Sequence, residues 1–149
     1  MIKALLSNEY VLLAARLLLG LTFLIASIDK IADPGLFANA IANYKLISGW
    51  PTMLVATLLP WIELLCGLSV LFGLHLRGSS FLLFLMLTMF TLAVMTGLIR
   101  GLDISCGCFT LDPQVHKIGW QKILENLGLI AVSVLLFYSQ PGKFVLNVE

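Results

Sequence analysis

Four apolar runs, each about as long as a bilayer core is thick, constrain this chain more than any other feature. A helix needs roughly 20 apolar residues to cross a membrane, and runs of that length span residues 10–31, 52–74, 79–99 and 120–138. Of the 149 residues, 60% are hydrophobic and 11% charged, whereas a soluble domain carries about 25% charged residues. The charges are too few to clothe a water-facing surface, so lipid is the solvent these runs imply. The length allows one domain over 1–149. Short links between antiparallel neighbours predict an all-α, integral membrane, up-down four-helix bundle. A net charge of +1 supplies no basic stripe for phosphates, which argues against a nucleic-acid partner.

The first run reads as a retained helix rather than a signal peptide. It is too long, Lys3 is a thin basic flank, and no convincing cleavage pattern precedes Asp29. The connections differ in character. Around His75, Arg77 and Gly78 there is room only for a tight turn. Between the first two runs, Asp33-Pro34 has the form of an N-cap followed by proline at the first helical position. Phe37, Ala40, Ile41, Tyr44 and Ile47 then recur at helical spacing, with Asn39 and Asn43 on another face. This predicts a short amphipathic helix in the interface, with Tyr44 and Trp50 at headgroup level.

The third connection, 100–119, holds two of the three cysteines, Cys106 and Cys108, separated by Gly107. Residues two apart place their Cα atoms about 5.5–7 Å from each other, and a disulfide wants about 4.4–6.8 Å. Closure is feasible in a tight ring that Gly107 can bend to form. Strained, exposed disulfides are labile and suit thiol exchange better than bracing. Two other readings stand beside that one: inert surface cysteines, or a metal site with His116 as a third ligand. The third cysteine, Cys66, lies within the second run, where packing competes with a redox role.

Ionisable residues inside a span are functional candidates, since each costs roughly 2.5–3.5 kcal/mol to insert at the centre. Glu63 sits mid-helix, and Arg16 a turn or two inside the first span is within reach of it as an ion-pair partner. Alternatively, Arg16 and Glu63, walled by Trp61, form a polar pocket that holds a quinone headgroup or relays protons. Asp29 and Lys30 lie near the end of their span, where snorkelling to the interface accounts for them.

Taken together, Arg16-x-x-x-Gly20, Asp29-Lys30-x-x-Asp33-Pro34, Tyr44, Pro60-Trp61-x-Glu63-x-x-x-Gly67 and Arg100-Gly101-x-Asp103-x-x-Cys106-Gly107-Cys108-Phe109 resemble the MauE/DoxX family of four-helix, redox-associated membrane proteins, and the MauE branch more closely. The resemblance runs from Arg16 to about Asn126. It implies a thiol–disulfide redox or maturation factor that helps form or maintain disulfides in an exported client, beside a thioredoxin-like periplasmic partner and linked to a membrane quinone. On that reading Cys106 and Cys108 cycle between dithiol and disulfide. Arg100 and Lys117 lower a thiol pKa and Asp103 opposes them. Electrons reach the quinone near Arg16, Trp61 and Glu63, by way of Cys66. The alternative is a non-enzymatic anchor or chaperone of a maturation complex, whose cysteine pair binds metal or is inert. Counted by itself, the Lys/Arg distribution leans toward a cytoplasmic cysteine connection. The thiol chemistry and the resemblance place it instead on the periplasmic side of the inner membrane, with the termini in the cytoplasm.

Overall fold

The computed structural model describes residues 8–102 and 120–139. Among them are five helices: α1 (Glu9–Ala32), α2 (Pro34–Asn43), α3 (Trp50–Phe72), α4 (Leu76–Ile99) and α5 (Trp120–Tyr138). All but α2 are long and apolar enough to cross a membrane, the architecture of a multi-pass membrane protein. The sequence boundaries agree with the observed ones to within three residues, and the fourth agrees at both ends. Pro60 does not interrupt the second span. Helix α3 runs through it, with Pro60 buried on its inner side.

The packing is unequal. Helix α1 lies most extensively along α3 and α4 along α5, whereas α3 and α4, although joined by a tight turn, meet less closely. The short amphipathic helix α2 rests mainly on α3. Asp33 starts it as expected, its carboxylate accepting the Leu36 N–H at 2.9 Å with Pro34 in the first turn. Phe37, Ala40 and Tyr44 face inward, while Asn39 and Asn43 are exposed.

The α1–α3 register is held at the end nearer the α3–α4 turn by Arg16 and two glycines. Arg16 Nε donates to Val70 O at 3.0 Å and a terminal guanidinium nitrogen donates to Leu71 O at 2.9 Å. The last carbonyls of a helix have no partner within it, so a cation on the neighbouring helix satisfies them and matches the negative end of the α3 dipole. Gly73 ends α3 in the left-handed region at φ 74°. The Leu74 N–H bonds Ser69 O and the Gly73 N–H bonds Val70 O, closing a Schellman turn. A Cβ on Gly73 would fall 2.5 Å from the Arg16 guanidinium. One turn further along, Gly20 and Gly67 let the two backbones touch. A Cβ on Gly20 would lie 3.1 Å from Gly67 O, and one on Gly67 would lie 3.3 Å from Gly20 O. Close helix approach through small residues is a main source of association in lipid, where burial of apolar surface drives little.

These contacts set an expectation for stability. Gly20→Ala and Gly67→Ala should each lower it by about 1–3 kcal/mol through overpacking, and Gly20→Leu by more. Reversible unfolding in mixed micelles measures this. An unchanged transition for Gly20→Leu would show that the α1–α3 crossing does not hold the bundle.

Candidate functional site

Deep in the half of the bundle that carries α2, Glu63 of α3 has no exposed surface. Both its carboxylate oxygens lie 2.8 Å from Lys30 Nζ. Lys30 is in the last turn of α1, yet it is only 1% exposed. Its ammonium also sits 5.0 Å from the ring centroids of both Phe37 and Phe90. Four helices thus meet on one cation: α1 supplies it, α3 its counterion, and α2 and α4 an aromatic ring each. Local sequence explains the arrangement. Arg16, Leu19, Gly20, Phe23, Ser27 and Lys30 are all buried and recur at intervals of three and four, one stripe of the α1 surface. Helical side chains lean toward the helix N-terminus, so Lys30 reaches back into the bundle. The Asp33-Pro34 start then turns α2 so that Phe37 covers it.

The sequence expectation for these charges is corrected in two respects. Lys30 does not snorkel to the interface, and Glu63 takes Lys30, not Arg16, as its partner. Arg16 binds carbonyls seven and eight residues beyond Glu63 on α3, about 10–12 Å along the helix. Nor do Arg16, Trp61, Glu63 and Cys66 converge on one pocket. Trp61 is 52% exposed and lies about 200° around the helix from Glu63, which turns its ring outward. Cys66 is buried in an apolar cluster with Leu19, Phe23, Leu83 and Met86, consistent with packing. Arg100 is exposed where α4 ends. Asp103, Cys106, Gly107, Cys108, His116 and Lys117 lie outside the described residues. The connection that contains them leaves α4 and enters α5 at the end of the bundle where α1 passes into α2.

Beside the ion pair is a cavity of about 290 Å³. It lies under α2 where α3 and α4 diverge, and Phe37, Tyr44, Leu59, Met86, Met89 and Phe90 form much of its wall. Tyr44 is buried, and that burial raises its phenol well above the usual range, so it remains a neutral hydroxyl. Tyr44 also packs with Val94 and Ile123, which ties the end of α2 to α4 and α5. One turn from Ile123, Asn126 is 1% exposed and its amide nitrogen and oxygen have no hydrogen-bond partner among the described residues. Sequence reasoning missed Lys30 and Asn126 as site residues. Lys30 was legible from its place on the buried stripe, and Asn126 from lying one turn beyond Ile123 on the buried side of α5, which also takes in Lys122 and Ser133.

Breaking a buried pair strands a charge and typically costs about 3–5 kcal/mol, whereas apolar replacement of both partners is often neutral or stabilising. Lys30→Met alone should therefore destabilise strongly, and Lys30→Met/Glu63→Leu should recover the wild-type unfolding transition. Arg16→Leu/Glu63→Leu should show no such recovery. A double Lys30/Glu63 variant as unstable as the single one would contradict the pairing.

The family model described as methylamine utilisation protein MauE matches residues 8–139. The chain is 28% identical over 133 residues to methylamine utilization protein MauE of Methylophilus methylotrophus, covering 89% of this chain and 70% of that protein. It is 28% identical over 142 residues to the protein of that name from Methylorubrum extorquens, covering 95% and 76% respectively. With the Paracoccus denitrificans protein the identity is 25% over 133 residues, covering 89% and 71%. No solved structure matches. With the family match extending from the residue that caps α1 to the one that follows α5, the chain belongs to the MauE family.

Proposed function

We propose that this protein is a membrane thiol–disulfide maturation factor that forms disulfides in an exported client through a thioredoxin-like partner. The cysteine pair carries the reading: Cys106 and Cys108 flank a single glycine in the connection between two membrane spans. Exchange begins when a thiolate attacks one sulfur of a disulfide and expels the other. Oxidised Cys106–Cys108 accepts two electrons from the reduced partner, whose own cysteines close into a disulfide, and the pair leaves as a dithiol. Regeneration requires an acceptor of two electrons and two protons. In the bilayer a lipid-soluble quinone supplies that chemistry, becoming the quinol as the Cys106–Cys108 bond re-forms. Arg100, at the head of the connection, favours the thiolate form of the pair electrostatically and Asp103 opposes it. The relatives are named for methylamine utilisation. Nothing in this mechanism depends on methylamine itself, and the client needs only exported cysteines to pair.

The chemistry requires the connection to face the periplasm, with the termini in the cytoplasm. A membrane-impermeant thiol reagent, applied to intact cells after mild reduction, should label Cys106 or Cys108 and spare Cys66. Labelling that appears only after the inner membrane is broken would rule out an exported-disulfide role.

Replacing one cysteine of the pair removes the thiol that resolves a mixed disulfide. Cys106→Ser or Cys108→Ser should trap a covalent complex with a periplasmic thioredoxin-like protein, seen as a reducible band of higher mass on a non-reducing gel. One single variant should trap far more than the other, and Cys106→Ser/Cys108→Ser should trap nothing. If neither single variant traps a partner and the double variant still matures its client, the protein acts as a non-enzymatic anchor.

A further inference from the structure

We infer that the groove between α1 and α5 binds a phospholipid with a primary-amine headgroup, such as phosphatidylethanolamine. Helices α1 and α5 touch far less than α1 and α3 or α4 and α5 do, and the opening they leave has a volume of about 500 Å³. Its lining sorts by depth. Lys122 and Glu125, in the first two turns of α5, stand at one end; Leu18 and Thr22 of α1, with Leu129 and Val132 of α5, stand at the other. Exposed Trp50 and Trp120 begin α3 and α5 at the charged end, and tryptophan there marks the headgroup level. From Lys122 to Val132 is ten residues, about 15 Å of helix, which is half of a bilayer core roughly 30 Å thick. The groove therefore runs the depth of one leaflet, charged at the headgroups and apolar beneath. The Thr22 hydroxyl does not alter that, because it donates to Leu18 O of its own helix at 2.7 Å.

The two charges select the headgroup. Lys122 Nζ lies 2.7 Å from one carboxylate oxygen of Glu125. The lysine side chain is 5% exposed and the glutamate 44%, so the pair meets the lipid with its acidic member outermost. A carboxylate at the edge of the hydrocarbon is costly unless donors reach its remaining lone pairs. A primary ammonium brings N–H donors and the opposite charge, the stronger class of hydrogen bond. The phosphate of the same headgroup carries the charge that Lys122 attracts. Choline is quaternary and has no N–H to give, while a glycerol headgroup leaves the lipid's net negative charge facing Glu125. Below the headgroup, an acyl chain passes Gly128, where even an added Cβ would meet nothing within 4 Å, and ends against Leu18 and Val132. Because the groove stops near the bilayer centre, it fits one lipid of one leaflet and would support only half of a helix that crosses both.

The test is native mass spectrometry of the full-length protein released from detergent, titrated with dioleoyl phosphatidylethanolamine, phosphatidylcholine or phosphatidylglycerol, which share their tails. The ethanolamine lipid should bind about tenfold more tightly than the choline lipid, the worth of one hydrogen bond to a charged group. Glu125→Gln keeps an oxygen for Lys122 but loses the charge. It should erase that preference by weakening the ethanolamine lipid alone, and should bind the glycerol lipid no worse than the wild type does. Gly128→Leu, at a position open to added side chain, should keep the wild-type unfolding transition and weaken all three lipids alike. An ethanolamine lipid with a photoreactive diazirine in its acyl chain should label peptides covering residues 18–22 and 128–132. Equal binding of the choline lipid, a Glu125→Gln variant that keeps the preference, a Gly128→Leu variant that binds normally, or labelling elsewhere would each overturn the assignment. So would a dimer that Gly128→Leu dissociates, which would give the groove to a second copy of this chain.

Discussion

The salt bridge between Lys30 and Glu63 is the contact on which the α2 half of the molecule depends. Removing either ion from water costs several kcal/mol, even after relaxation. Neither is tolerable in an apolar bundle unless the other is within hydrogen-bonding distance, and here one ammonium meets both oxygens of one carboxylate. Meeting this requirement fixes more than two side chains. The end of α1 must lie against the middle of α3, and α2 must fold back so that Phe37 covers the cation from one direction while Phe90 of α4 covers it from another. The pair specifies how four helices meet rather than adding much net stability, a role attested for buried polar groups in other bundles.

The opposite half of the α1–α3 pair is held by different means. Arg16 satisfies carbonyls that the end of α3 leaves open, and Gly20 and Gly67 bring the backbones into contact. A capped terminus, a glycine crossing and an ion pair, spaced along one interface, leave little freedom for α1 to slide or rotate on α3. The α4–α5 pair forms a second unit, and the two units diverge between α3 and α4. That divergence leaves the space which α2 roofs. The cavity is thus a consequence of two well-packed helix pairs that do not close on each other along one edge, at the same end as the ion pair.

Much of this was legible in the sequence, because lipid imposes simple rules. Span number, span length and the interfacial helix follow from the length of apolar runs and from the Asp33-Pro34 start, and the structure agrees. The family motifs were legible too, and several now have physical reasons: Gly20 and Gly67 are a backbone contact, Arg16 is a cap, and Lys30 and Glu63 are partners. What was misread is the partner of Glu63. Depth along the span favoured Arg16 and assigned Lys30 to the interface, as if a long side chain near a helix end must run outward. The stripe of residues 16, 20, 23, 27 and 30 held the contrary information, and so did the rule that helical side chains lean toward the N-terminus. Neither identifies which cation meets a given carboxylate without the inter-helix register, and the glycine crossing sets that register. Trp61 illustrates the same limit. It is two residues from Glu63 in sequence and on the other side of the helix in space.

The location of the charges bears on how a membrane protein of this size can serve thiol chemistry. Thiol exchange needs water and a partner protein, and it belongs at the membrane surface. An acceptor dissolved in the bilayer is confined to lipid. A protein that joins the two must present its sulfurs at one end of the bundle and receive the acceptor from the side, close to that same end. The connection with the cysteine pair leaves the bundle where α1 passes into α2, and the cavity opens under α2 at that end. Charges placed directly in such a cavity would draw in water and admit polar molecules, while a wholly apolar wall would hold any lipid tail equally well. In this chain the Lys30 ammonium stands against two rings that also line the cavity, Phe37 and Phe90, and both members of its ion pair are almost wholly buried. The charge that four helices share therefore sits beside the cavity without forming part of its lining.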